Sequence, residues 1–186
     1  MEKRELTKAL LAESFRDLVQ EKPFDKITVR MITDSAGVIR PTFYHYFQDK
    51  YEVIEWLFEE QVAKPVREMV EDGKFGKAAM ELFTKIGEDR KYYRKILDIT
   101  GQNSFVEVLN EKVYEILYAY IHAHRNQSIR LPAGLNDALI SKYYTLITVE
   151  IIIEWIRSDE ENANVAELLE AYSFLLRHSI DSIVDL

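Results

Sequence analysis

The 186-residue chain is 47% hydrophobic, enough apolar content to bury a core in one or two domains, and this excludes a disordered chain. It has no cysteine, so disulfide frameworks, thiolate metal sites, cysteine nucleophiles and CxxC redox chemistry are excluded. The net charge of −8 argues against a general affinity for nucleic acid, but residues 1–50 hold nine Lys/Arg against eight Asp/Glu while the other 136 hold 15 against 24, so the acidity belongs to the second part.

The first ten residues carry charges where a signal peptide needs an apolar run, which together with the missing cysteines points to the cytoplasm. Leu11, Phe15 and Leu18, with Ala12 and Val19 beside them, form the inner stripe of a first helix that the Pro23 region ends. A short second helix starts after Thr28 and stops at Gly37, and a third runs from about Arg40 to Phe47. Asp49, with Glu52 three residues on, has the spacing of a capping box, and Val53, Ile54, Leu57 and Phe58 give the fourth helix its apolar face. Gly73 and Gly76 mark a boundary.

Beyond it, helical periodicity recurs over 78–86, 92–99, 105–124, 135–156 and 165–184, with breaks near Gly101 and at Leu131-Pro132-Ala133-Gly134. Leu139 to Ile156 comes nearest to a membrane span, but Lys142, Glu150 and Glu154 interrupt it at helical spacing, so it reads as a buried helix and no membrane partner is expected. The β-branched run Ile151 to Ile153 lies inside a segment too long for one strand. The expected fold class is all-α with about nine helices: an N-terminal three-helix head, residues 1–50, and a C-terminal helical bundle, residues 51–186.

The informative stretch is Ile27 to Phe47. Val29, Ile32 and Ala36 share one face of the short second helix, and Gly37 supplies the positive φ of a tight turn. Val38 plugs the corner, and Phe43 and Phe47, four apart, bury the inner face of the third helix. That leaves Arg40, Thr42, Tyr44 and His45 on the outer face, donors suited to base edges and phosphate oxygens, with Thr28 and Lys50 at the flanks where a duplex backbone would pass. Double-stranded DNA is the expected partner.

At these residues the chain resembles the TetR family of bacterial transcription regulators. The family pattern places a Thr before the second helix, Ala-Gly-Val at the turn, and an aromatic Tyr-x-Tyr-Phe followed by Lys; here these are Thr28, Ala36-Gly37-Val38, Tyr44-His45-Tyr46-Phe47 and Lys50, within a match over about residues 8 to 58. Two positions depart from it: Ile39 stands where Ser or Thr is usual, removing an N-cap hydroxyl at about 1 kcal/mol, and Pro41 stands where a small residue is common. A further cluster, Tyr92-Tyr93-Arg94 with Gly101-Gln102-Asn103-Ser104-Phe105, is similar to a subgroup related to activators of dihydroxyacetone-kinase operons. That resemblance implies a body that answers to another protein instead of a metabolite.

The family resemblance also implies a pocket in the body, for which the aromatic residues Tyr92, Phe105, Tyr114, Tyr118, Tyr143 and Trp155 are candidates; a core of stacked aromatics explains the same residues. A four-helix dimer interface is expected from Ile147, Ile151 and Trp155 on one helix and Leu168, Tyr172, Leu176 and Ile180 on the next. His122 and His124, two apart, face different ways and make no ligand pair. No phosphate loop, nucleophile elbow or paired acid/base carboxylates occur, so no enzyme activity, metal or cofactor is expected. The resulting expectation is a homodimer that binds a (pseudo)palindromic operator under the control of a small-molecule or protein effector. The alternative is a TetR-like co-regulator that acts through a protein partner with little or no operator binding of its own.

Overall fold

The structure, a computed structural model, describes residues 3–99, 104–158, 165–178 and 182–183. Gly101 to Asn103 and Ile180 lie outside these, as does the side chain of Leu176. Ten α-helices are present among the described residues: α1 (Lys3–Glu21), α2 (Val29–Ser35), α3 (Arg40–Tyr46), α4 (Lys50–Phe58), α5 (Lys64–Glu71), α6 (Phe75–Glu88), α7 (Arg90–Leu97), α8 (Phe105–His124), α9 (Asp137–Arg157) and α10 (Val165–Arg177). A π-helical turn, Glu59–Ala63, joins α4 to α5 without a break, so counted as rods there are nine. No strand occurs among the described residues.

The ends of these helices follow from local chemistry. Thr28 caps α2 by accepting from the Met31 N–H at 3.2 Å, Asp49 caps α4 through the Tyr51 and Glu52 N–H groups, and Asn136 caps α9 through Leu139. The capping box differs in one detail: the Glu52 carboxylate accepts from the Gln48 N–H, one residue before the cap, where the motif has it accept from the cap itself. The π turn has its cause in Pro65, which lacks an N–H and whose ring would collide with the carbonyl of Gln61 in a regular helix; one wider turn relieves both. Gly76, expected at a boundary, sits inside the first turn of α6; Gly73, at φ 74°, ends α5 alone.

One contiguous core runs through the whole described molecule. In the N-terminal part it holds Leu11, Phe15, Ile32, Phe43 and Phe47, each at most 1% exposed, and it continues through Ile54 and Phe58 to Phe83, Ile96, Phe105, Ile152 and Ile156. The C-terminal end of α1 is fastened to α7 by polar contacts: Arg16 to Asp89 at 3.6 Å, Gln20 to Asp89 at 3.2 Å, and the Lys95 ammonium to the Gln20 carbonyl. The three-helix head therefore stands on the rest through α4 and through the α1–α7 contact.

Candidate nucleic-acid interface

The corner between α2 and α3 is closed by backbone hydrogen bonds. Val38 N–H donates to the Thr33 carbonyl (3.0 Å) and Gly37 N–H to that of Asp34 (3.3 Å), the paired bonds of a helix end that requires a left-handed residue; Gly37 supplies it at φ 66°. A side chain there would cost about 1–2 kcal/mol from backbone sterics alone. Thr33, 2% exposed, spends its hydroxyl on the Arg30 carbonyl and leaves nothing unpaired behind the corner.

Helix α3 is anchored by Phe43 and Phe47, whose rings stand 5.7 Å apart against the head core. Its remaining surface faces outward: Arg40, Tyr44 and His45 are exposed and Thr42 is half-buried at its edge. The structure thus leaves three of the predicted contact residues, Arg40, Tyr44 and His45, on the outward side of α3, with Thr42 at its margin. Arg40 and Tyr44 are further organised as a pair, with a guanidinium N–H donating to the tyrosine oxygen at 3.0 Å and the guanidinium carbon 5.4 Å from the ring centre. No carboxylate among the described residues lies within salt-bridge distance of Arg40, so its charge is available to an outside acceptor. Thr28 is exposed at the start of α2, its oxygen occupied as cap but its O–H still able to donate.

Lys50 differs from expectation. Its ammonium turns back to the carbonyls of Phe24 (2.6 Å) and Ile27 (3.1 Å) and lies 3.9 Å from the centre of the Phe24 ring. Burial pushes its pKa below the usual lysine value, partly countered by Asp25. It closes the turn between α1 and α2 onto α4, a role that residue type and spacing do not reveal because its partners lie 23 and 26 positions upstream. Ile39, the cap position of α3, makes no side-chain cap bond and is 70% exposed.

The body places the predicted pocket residues apart from its cavity. A small apolar cavity of about 50 Å³ is walled by Phe58, Ala63, Val66, Phe83, Val113 and Tyr172 among others, bordering the π turn; Tyr92, Phe105, Tyr114, Tyr118 and Trp155 do not line it. Phe105, Tyr92 and Trp155 are core residues, at 0%, 2% and 5% exposure, whereas Tyr114, Tyr118 and His122 stack along the outside of α8. Aromatic core packing is what these positions do, because their rings meet other rings edge-on within 5.3 to 5.7 Å. Polar groups at the cavity are few: Lys112, and the Thr148 and Tyr172 hydroxyls, bonded to each other at 2.6 Å.

The predicted dimer stripe likewise divides. Trp155 and Tyr172 are buried inside the chain and Ile151 and Leu168 pack on its core, leaving Ile147, 44% exposed, as the one member on the outer side among those whose side chains are described. The outer apolar residues are Ile147 with Tyr143, Tyr144 and Leu146 on α9, and Phe174 and Leu175 on α10. Of the stripe that periodicity found, Trp155 and Tyr172 are the members that face inward.

Comparison with known proteins adds to this geometry. A family model described as bacterial regulatory proteins, tetR family, matches residues 13–57, and one described as transcriptional regulator C-terminal region matches residues 75–173. The HTH-type dhaKLM operon transcriptional activator DhaS of Lactococcus lactis subsp. lactis (strain IL1403) is 30% identical over 99 residues, which span 53% of this chain and about half, 53%, of that protein. Among solved structures, one described as dihydroxyacetone kinase operon activator DhaS is 25% identical with a TM-score of 0.58, covering 91% of this chain and 97% of that one. The transcriptional regulator FadR from Bacillus subtilis, in complex with stearoyl-CoA, has a TM-score of 0.59 at 20% identity, covering 87% and 95%.

Proposed function

The chain belongs to the TetR family of bacterial transcriptional regulators, and on that premise we propose that it binds a (pseudo)palindromic operator as a homodimer, with an effector received in the body altering the spacing of the heads. The observation that carries this reading is the two-sidedness of α3: Phe43 and Phe47 are 0% and 1% exposed, and Arg40, Tyr44 and His45 stand outside with Thr42 at the edge. We divide the chain into a DNA-binding head, residues 1–50, and a sensing and dimerising body, 51–186. Arg40, Tyr44 and His45 approach base edges in the major groove; Thr28 and Thr42 donate to phosphates. Lys50 acts from beneath, by holding the turn before α2 in place.

Dimerisation uses the outer apolar residues of α9 and α10, Tyr143, Tyr144, Leu146, Ile147, Phe174 and Leu175, which the described chain leaves between 39% and 55% exposed. The effector enters the cavity beside the π turn, where the Thr148–Tyr172 hydroxyl pair and Lys112 are the polar groups that would fix its orientation. The acyl-CoA held by the FadR of the same fold supports an apolar effector, and the present 50 Å³ must widen for anything larger than a short aliphatic group.

The test is selection of genomic duplex fragments by purified protein, followed by binding of a selected fragment across a salt series. A steep fall of affinity with added salt is expected. Absence of duplex binding at low salt would sink the reading and favour the co-regulator that engages a protein instead, to which the apolar exposure of Ile39 and the inward turn of Lys50 lend support. Light scattering that shows a monomer at micromolar concentration would remove the dimer.

A further inference from the structure

We propose that Ile39 is a specificity-determining residue that reads the C5-methyl of a thymine in the operator. The inference rests on the DNA-binding reading above and deepens it. Ile39 is the most exposed large apolar side chain of the described molecule, at 70%, and stands next to Arg40 on the surface shared with Tyr44 and His45. Nothing in the fold requires isoleucine there: it makes no side-chain cap bond and is absent from the core and from the residues packed against it. A hydroxyl at the same position would cap α3, as Thr28 caps α2. The chain therefore carries an aliphatic group at a place where helix stability favours an oxygen.

The surface it belongs to decides what covers it. Opposite a phosphate or a polar base edge, an isoleucine would strip water from groups it cannot replace, which weakens binding. The thymine methyl is the one apolar group that base edges present in the major groove. Arg40, held by Tyr44 at 3.0 Å, has guanidinium N–H groups left over for an adjacent acceptor, so apolar and polar readout lie side by side at residues 39 and 40.

The experiment selects binding duplexes from a random-sequence library with the full-length protein, then replaces each thymine of the selected site by uracil, one at a time, which removes only the methyl. Each duplex is titrated against wild type, Ile39→Ala and Ile39→Ser. The expected result is a loss of about fourfold at one thymine per half-site with wild type, the contribution of one buried methyl. That loss is absent in both variants, while losses at other thymines persist. Ile39→Ser separates readout from folding: with its cap restored, it melts no lower than wild type and still loses the thymine preference. Uracil effects identical in wild type and Ile39→Ala overturn the inference and leave the DNA-binding reading standing. A library from which wild type selects nothing overturns both.

Discussion

The outer face of α3 and the surface of the body treat charge in opposite ways. In the body, cations are matched within the chain: Arg67 with Glu59 at 2.8 Å, Lys112 with Glu55 at 3.5 Å, Lys85 with Glu88 at 2.8 Å, and Arg125 with Asp137. The Glu59 carboxyl is accordingly held below the usual carboxylate range, first by its hydrogen bond from Arg67. On the outer face of α3, by contrast, Arg40 meets only a tyrosine. An acidic chain can therefore grip a polyanion where the cation is left without an internal partner, since the repulsion from the distant body is screened over about 10 Å at ordinary salt. The comparison teaches that net charge is a poor guide here and local pairing a good one.

The largest expected effect tests whether head and body differ in stability as they do in charge. Phe43 in the head and Phe83 in the body are both fully buried, and either one changed to Ala should lose about 3–5 kcal/mol. Because one core runs through both parts, the two variants should lower the midpoint of a single denaturant transition. If Phe43→Ala instead splits the transition, with the body unfolding at its original midpoint, the head is an independent unit and the shared core does not couple them.

Next in size is Arg40→Ala. It should weaken binding to a selected duplex by about 1–3 kcal/mol, roughly fivefold to more than a hundredfold, and relax preference at one base pair. Its effect on the melting midpoint should stay within about 0.5 kcal/mol, as for an exposed position. Equal weakening on every sequence would reassign Arg40 from base readout to the phosphates.

These two tests fall on residues that local pattern made legible. Thr28 and Gly37 act through partners at most five residues away, and Phe43 and Phe47 stand one helical turn apart, so spacing alone placed the corner and its inner face. The failures are all non-local. Lys50 reaches carbonyls more than twenty residues upstream. Trp155 and Tyr172 sit on helices with apolar residues on two sides, and periodicity cannot say which side the chain covers itself; here Tyr172 turns in to Thr148 and Phe83, and Trp155 to Phe83 and Arg90. The cavity is likewise non-local, although Pro65 marks its neighbourhood: a proline inside an apolar-periodic rod forces a local change of register, and the cavity borders that turn.

A smaller effect distinguishes a cation that serves the head's architecture from one that serves DNA. Lys50→Met removes the bonds to the Phe24 and Ile27 carbonyls and should cost about 1 kcal/mol, discounted for partial exposure. The decisive quantity is the salt dependence of duplex binding. For an internal tie, the slope of log affinity against log salt stays as in wild type; for a phosphate contact it becomes shallower by about 0.9.

The smallest effect lies in the body's paired charges. Asp137, in the first turn of α9, accepts from His122 at 3.0 Å and from Arg125, and these bonds together with the two positive charges hold its carboxyl below the usual value near 3.8. A depressed acid contributes stability above its ordinary pKa and loses it as pH falls through the lowered one. Wild type should thus melt slightly above Asp137→Asn at neutral pH, begin to converge with it near pH 3.8, and match it once pH has fallen through the lowered pKa. Its partner His122 is 67% exposed, so 1 M salt should weaken the difference at neutral pH as well. A difference that survives both acid and salt would mean that the carboxylate contributes through its packing between α8 and α9, and the contrast between a charge-paired body and an open α3 face would then rest on the remaining pairs alone.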